Sequence, residues 1–370
     1  HSLVTKNGLY LSLQAYCTTT GIELSTIVPQ TFYLSSRQDG GDRDTELEKF
    51  VTYNTDSTDS GGDEVIWILK PAFAANQGCG IQVVSGLEEC LQVVGCQRMS
   101  PRRTSDQKSL EDQEGKCEKQ EDQEEELPGK KKRNPRTTEW IVQRYMKEPL
   151  LVRGRKFDIR CFVLIVLKRS SKLLPDGTQE QGVLKGYMYR DGYVRTSGKK
   201  YTLNNLSDRE THLTNDAVQK KAKSYGKFES ANKLTYDQFE EVVSQDYPSA
   251  PIGVVRGKIL PQIEYQVKVS LRAAKERLTD TFINKSFELL GYDFMVDANF
   301  DSTLIEINSN PSLDMSGSVL EELIPRMLEN TFHLSIDALM PPPPGVRSQK
   351  VQESIDLIEN MENRYVDLNL

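Results

Sequence analysis

Histidine is almost missing from this 370-residue chain; His1, His212 and His333 are the full set. A Ser/His/Asp or Cys/His centre therefore has few candidate bases, and hydrolase chemistry of that kind is not expected. The six cysteines (Cys17, Cys79, Cys90, Cys96, Cys117 and Cys161) form no CxxC pair, which argues against a zinc site and fits scattered thiols in a reducing compartment. There is no GxxxxGK[ST] loop, so a P-loop nucleotide site is disfavoured. No apolar run approaches the ~18 residues of a spanning helix, and no basic-then-apolar leader opens the sequence. A soluble, intracellular protein with no membrane partner is expected. No DNA- or RNA-binding motif and no internal repeat stand out, so nucleic acid is not the expected partner. The chain begins with His1, not Met, so the natural N-terminus is expected to lie upstream.

What is present is length enough for two or three packed units at about 150 residues each. Hydrophobic residues make up 37% and charged residues 27%, somewhat polar for a compact chain. Much of that excess sits between Arg98 and Thr138, where PRRTSDQKSLEDQEGKCEKQEDQEEELPGKKKRNPRTT offers almost nothing to bury and reads as a disordered insertion. The net charge of −7 is uneven. From Val142 to Lys233 there are twenty Lys and Arg against nine Asp and Glu, a local positive excess suited to an acidic partner.

The pattern of elements is mixed. NGLYLSLQAY reads as a helix, IELSTIVPQTFYL as a strand, and Arg37 to Gly62 as loop apart from a turn of helix at ELEKF. EVIWILK, a Gly-containing loop and GIQVV give strand, loop, strand, followed by a helix at SGLEECLQVV. RKFDIRCFVLIVLK is a buried strand. LKGYMYRDGYVRTS reads as a hairpin turning at Asp191-Gly192. Helices are expected from about Tyr236 to Leu290 and from about Ser318 to Ala338, with a short one near the end after PPPP.

LGYDFMVDANFDSTLIEINSNPSL, from Leu290 to Leu313, reads as a further hairpin turning at ANFDS. Alternation puts Phe294 and Val296 on one face with Ile305 and Ile307, leaving Asp293, Glu306 and Asn308 on the other. Two carboxylates and an amide are hard donors suited to Mg²⁺; a solvated outer face of an antiparallel sheet is the alternative. Lys156, Asp158 and Arg160 likewise alternate along KFDIR. Lys70 ends a strand ahead of Gln77, Gly78 and Gly80, a loop whose backbone could approach phosphates. Gln143, Arg144, Tyr145 and Met146 end another strand and could face an adenine edge, or be a plain strand end.

VIWILKP with QGCGI, IVQRYMKEPLLV, RKFDIRCFVL, GYVR, HLTNDAVQK, NKLTY, LLGYDFMVD and LIEINSNPSL, in that order, resemble the successive motifs of the tubulin-tyrosine ligase-like family from about Leu3 to Pro344. The resemblance implies an α+β ATP-grasp fold, with antiparallel or mixed sheets flanked by helices and nucleotide held between two lobes. It implies a remnant at residues 1–62, a central lobe at 63–145 containing the 98–138 insertion, a C-terminal lobe at 146–340 and a Pro-rich linker and helix at 341–370. It implies an ATP- and Mg²⁺-dependent ligase joining a free amino acid, glutamate or glycine, to carboxylates of tubulin tails through an acyl phosphate, in the cytoplasm on the cytoskeleton, with cilium or flagellum as a further possibility.

Residue by residue, the resemblance assigns Lys6, Lys70 and Lys156 to ATP phosphates, with Gln77, Gly78 and Gly80 beside them. It assigns Gln143 to Met146 to the adenine, Asp158, Thr214 and Asn215 to the nucleotide, and Asp293, Glu306 and Asn308 to Mg²⁺. Arg160, Arg195 and Lys156 would act in catalysis, and Arg195 and Lys233 would bind the carboxylate of the amino acid. Gln77 departs from the family, which more often has Arg or Lys there; the loop between Arg160 and Arg195 is long, and the 98–138 insertion is unfamiliar. Two rival readings are a tubulin-binding pseudoenzyme and an ATP-grasp ligase for small-molecule carboxylates.

Overall fold

The computed structural model describes residues 3–35, 42–59, 64–72, 78–95, 139–168, 183–281, 285–337 and 364–370. Gln77, the insertion, the Pro-rich segment and the short helix expected near the end lie outside them. The described residues are mixed α+β, with antiparallel sheets and helices, in two compact units: Phe32–Gln143, and His1–Thr31 with Arg144–Leu370.

The smaller unit holds β1 (Thr31–Ser35), α2 (Asp42–Asp59), β2 (Ile66–Pro71), β3 (Gln82–Ser85), α3 (Gly86–Val94) and β4 (Glu139–Arg144). The strands form a sheet in the order β1-β4-β2-β3. The long helix α2 replaces the expected loop. Its Asn, Asp, Ser and Thr are poor helix formers, but burial overrides them. Phe50 is fully buried between the rings of Phe32 and Trp67, and Asn54 accepts a hydrogen bond from the Trp67 indole at 3.0 Å. The strand predicted across IELSTIVPQTFYL is confined to β1, because a short turn at Leu24–Thr26 and Pro29 interrupt it. Cys17, Cys90 and Cys161 are buried thiols.

The larger unit begins with α1 (Lys6–Thr20), capped by the Thr5 hydroxyl and ended by Gly21 in the left-handed conformation. It continues with β5 (Arg155–Lys168), β6 (Val183–Lys200), α4 (Arg209–His212), α5 (Asp216–Gln219), β7 (Lys233–Leu234), α6 (Tyr236–Asp246), α7 (Leu260–Thr281), β8 (Lys285–Val296), β9 (Ser302–Asn308), α8 (Ser318–Phe332) and β10 (Tyr365–Asp367). The sheet runs β10-β6-β5-β8-β9, with β7 also on β6. Strand β5 is at its centre and buried on both faces. Phe157, Ile159, Cys161, Val163 and Ile165 pack in one core with α1 and α7; Phe162, Leu164 and Val166 pack in another with Val319, Leu320, Leu323, Ile324 and Met327 of α8.

Three expectations change here. Asp191-Gly192 is not a hairpin turn. β6 runs on as one strand against β5, with the ladder shifting from Cys161↔Gly192 to Val163↔Met188. The two-residue turn expected there needs positive φ, and Gly192 does not adopt it. Gly192 is instead a point of close approach, where a Cβ would stand 2.2 Å from the Tyr236 hydroxyl and 2.4 Å from the Arg160 carbonyl. Second, α7 stops at Thr281 and Lys285–Leu290 is strand, paired with β5 from Lys168 onward. Third, the β8–β9 ladder slips between Asp293↔Glu306 and Phe294↔Leu304. Ile305 is the extra residue of that bulge, so Leu304, not Ile305, joins Ile307 in the core.

Candidate active site

Where the α8 cover ends, the same sheet face carries charge. Lys156, Asp158 and Arg160 share it with Phe162 by alternation along β5, and register supplies their neighbours: Arg195 of β6 lies opposite Asp158, Asp293 of β8 opposite Arg160, Glu306 of β9 opposite Asp293, and Lys233 of β7 opposite Arg195. Lys156, Asp158, Arg160, Arg195, Lys233 and Asp293 are all at least nine-tenths buried. Charges are rarely buried so deeply without partners, and here they satisfy one another. Arg160 grips Asp293 through Nε and the second guanidinium nitrogen, the latter at 2.9 Å. Arg195 reaches Asp158 at 2.5 Å and Asp293 at 2.9 Å, and the Thr214 hydroxyl donates to the other Asp158 oxygen.

These contacts divide the two acids. Burial by itself would raise Asp293, but the guanidiniums of Arg160 and Arg195 outweigh it and hold the carboxyl well below the usual range. Burial pushes Asp158 up; Arg195 and Thr214 oppose this, while the Asp293 charge reinforces it. Both arginines, desolvated but facing carboxylates, are raised above their ordinary value.

At the edge of the row, the Asn308 amide nitrogen lies 3.3 Å from Asp293 Oδ2 and 3.4 Å from Glu306 Oε1. Two carboxylates thus converge on one point, occupied here by an N–H donor. Turned over about its last side-chain bond, the Asn308 amide would present its oxygen to the same point. That oxygen-rich donor set suits a hard divalent cation. Among the described residues no group of three or more His, Cys, Asp and Glu gathers in this way; the amide is what completes the set.

A second chain of contacts lies beside the row. Lys156 Nζ donates to the Tyr145 hydroxyl at 2.9 Å and to the His212 carbonyl at 3.1 Å. The Tyr145 hydroxyl lies 2.8 Å from His212 Nδ1, and His212 Nε2 lies 2.9 Å from the Asn205 carbonyl. A carbonyl only accepts, so Nε2 carries the proton and Nδ1 accepts from Tyr145. Burial lowers the His212 pKa, favouring this neutral form. The Asn215 side-chain oxygen is buried without a partner among the described residues.

The other expected residues belong to different elements. Lys6 opens α1, which packs against the opposite sheet face. Lys70 and Gln143 belong to the smaller unit, where the Lys70 ammonium donates to the Gln143 amide oxygen at 2.6 Å. Gly78 and Gly80 form the turn between β2 and β3 with φ of +74° and +70°. Arg144 is exposed, and its N–H donates to the Gln30 carbonyl at 2.8 Å; Met146 is half-buried. Sequence reasoning missed His212, Asp216 and Asn232 as neighbours of the row. The signal available was the run of short polar residues in HLTND and NKLTY, which has no apolar period of its own.

The sequence matches the tubulin-tyrosine ligase family over residues 6–346. The chain belongs to that family. It is 29% identical over 297 residues to tubulin glycylase 3D of Tetrahymena thermophila, covering 79% of this chain and 23% of the relative. Against probable tubulin polyglutamylase TTLL9 of Rattus norvegicus it is 27% identical over 279 residues, 73% of this chain and 53% of the relative. Tubulin monoglycylase TTLL3 of Mus musculus is 28% identical over 284 residues, 75% of this chain and 25% of the relative. The chain therefore spans between about a quarter and about half of these family members. Every residue of the buried row lies within the family match.

Proposed function

We propose that this chain carries the ligase centre of an ATP- and Mg²⁺-dependent enzyme that joins an amino acid, glycine or glutamate, to side-chain carboxylates of tubulin tails. The observation that carries the reading is the buried Asp158–Arg195–Asp293–Arg160 row opening onto Glu306 and Asn308. A carboxylate anion does not react with an amine in water, so the acceptor must be activated. When bound, ATP with Mg²⁺ would supply the γ-phosphoryl that makes the acceptor an acyl phosphate, with ADP as the leaving group; the amino group, once its ammonium has given up a proton, displaces inorganic phosphate and loses a second proton to solvent or phosphate as the amide forms.

The protein's own groups set the conditions for that exchange. Asp293, Glu306 and Asn308 would hold the cation. Arg160 and Arg195, locked by Asp293 and Asp158, present fixed positive charge where oxygens gain charge, without having to reorganise during reaction. Lys156, held by Tyr145 and the His212 carbonyl, adds a buried ammonium for phosphate oxygens. Thr214 fixes Asp158, and Asn215 offers an unused acceptor. Low solvent access around the row protects an acyl phosphate from hydrolysis. Lys6, Lys70, Gln143 and Met146 enter the proposal through the family resemblance, as do the ATP-grasp description and the cytoskeletal setting.

The test is direct. Purified protein is mixed with ATP, Mg²⁺, microtubules and radiolabelled glycine or glutamate. Label on tubulin that depends on ATP and disappears in Asp293→Asn is expected; wild-type protein that labels tubulin with no amino acid overturns the reading. Product appearing only as a free dipeptide would move the acceptor to small molecules.

A further inference from the structure

Lys233 was expected to meet the carboxylate of the incoming amino acid, yet its side chain is 0% exposed. Its ammonium donates to Asp216 at 3.0 and 3.3 Å and to the Ala231 carbonyl at 3.1 Å. Asp216 keeps 30% of its side chain exposed. The outward-facing member of this pair is therefore the anion. Lys233 lies opposite Arg195 in the β6–β7 ladder, so the Asp216 carboxylate stands beside the charged row.

The backbone that delivers Lys233 is strained. Ala231 and Asn232, consecutive and neither of them glycine, have φ of 49° and 55°, a left-handed conformation that costs free energy unless the surroundings enforce it. They are enforced. Asn232 is 2% exposed, donates to the Thr196 carbonyl at 3.0 Å and accepts from the Gly226 N–H at 2.7 Å. The outcome of the strained turn is that the Ala231 carbonyl and the Lys233 ammonium meet, with the ammonium turned to Asp216. Burial lowers the Lys233 pKa, with Lys220 and Arg195 adding to the effect and Asp216 only partly opposing it.

A free amino acid is a zwitterion. Arg160 and Arg195 in the neighbouring row can pair with its carboxylate, but its ammonium needs an acceptor that still has oxygen lone pairs to offer. The partly exposed Asp216 carboxylate is such an acceptor, because its two oxygens offer about four lone-pair sites and Lys233 does not use them all. We propose that Asp216, aimed by the buried Lys233, receives the α-ammonium of the incoming amino acid. This rests on the ligase reading above and adds a residue that it does not contain. Lys233 and Asn232 are then positioning residues.

The experiment titrates the donor amino acid against wild type, Asp216→Asn and Asp216→Glu with ATP, Mg²⁺ and tubulin at fixed saturating levels. For Asp216→Asn the KM for the amino acid should rise about tenfold or more, the scale of one lost charge-assisted hydrogen bond. The KM values for ATP and tubulin should hold, and Asp216→Glu should recover part of the loss. Glycine ethyl ester, which keeps the ammonium and lacks the carboxylate, should inhibit wild type more strongly than Asp216→Asn, while acetate should inhibit both alike. An unchanged donor KM in Asp216→Asn overturns the inference, as does equal inhibition of the two proteins by the ester. If Asp216→Asn fails to fold, Asp216→Glu with wild-type donor KM and ester inhibition is the overturning result. A wild type that incorporates no amino acid sinks the ligase reading and this inference with it; an active wild type beside an indifferent Asp216→Asn sinks this inference alone.

Discussion

Asp293 accepts from Arg160 and from Arg195, the second of which it shares with Asp158. Replacing it with Asn leaves Arg160 and Arg195 desolvated with half their compensation, a situation that costs ~3–5 kcal/mol when one partner of a buried pair is removed. Glu306, half-buried, should cost much less when changed to Gln. Urea denaturation of both variants checks the contrast, and equal small losses would show that the buried row is not held by its ion pairs. His212 makes a second prediction. Burial lowers its pKa in the folded protein, so below the ordinary value of about 6.5 the unfolded chain takes up a proton that the folded one resists. Stability should therefore be level above that pH and fall as pH drops from it toward the folded value. His212→Gln should lose this component, read as a shallower decline of the melting temperature between pH 7 and pH 5.

Elements show where sequence patterns suffice. β5 was legible because Cys161 to Leu167 is an unbroken apolar run preceded by the alternating KFDIR, and the convergence of Asp293, Glu306 and Asn308 followed from alternation together with a turn signal. The bulge at Ile305 was not legible: both Leu304 and Ile305 are apolar, and only pairing with Phe294 decides which is buried. The Asp191-Gly192 pair illustrates the same limit, since a dipeptide that favours a turn in isolation sits here against Tyr236 and the Arg160 backbone. α2 was missed because its periodic burial rests on Leu47, Phe50 and Tyr53 amid poor helix formers. That account predicts a large effect at one position. Phe50→Ala should destabilise the smaller unit by about 3–5 kcal/mol through loss of burial and the cavity left behind, measured as an early denaturation step reported by Trp67 and Trp140 fluorescence. A loss under ~1 kcal/mol would show that α2 is held by something other than its aromatic contacts.

Across the whole chain, charge is arranged by depth as well as by sequence. Of the basic residues between Val142 and Lys233, Arg155, Arg160, Arg195 and Lys233 are buried against acids, whereas Lys200, Lys221, Lys223 and Lys227 are exposed. Salt screens these two groups differently. At 0.15 M ionic strength the Debye length is about 8 Å, and exposed charges lose most of their reach while buried pairs are little affected. If the exposed lysines draw in an acidic tail, the KM for tubulin should climb severalfold between 50 and 300 mM KCl, with little change in the KM for ATP or in melting temperature. Reversing Lys221, Lys223 and Lys227 to Glu should raise that KM at low salt and flatten its salt dependence, because the attraction that salt removes is already gone. A triple variant with the wild-type salt slope would locate the attraction elsewhere on the surface, and a salt-independent wild type would mean that the acceptor is recognised through contacts other than its charge.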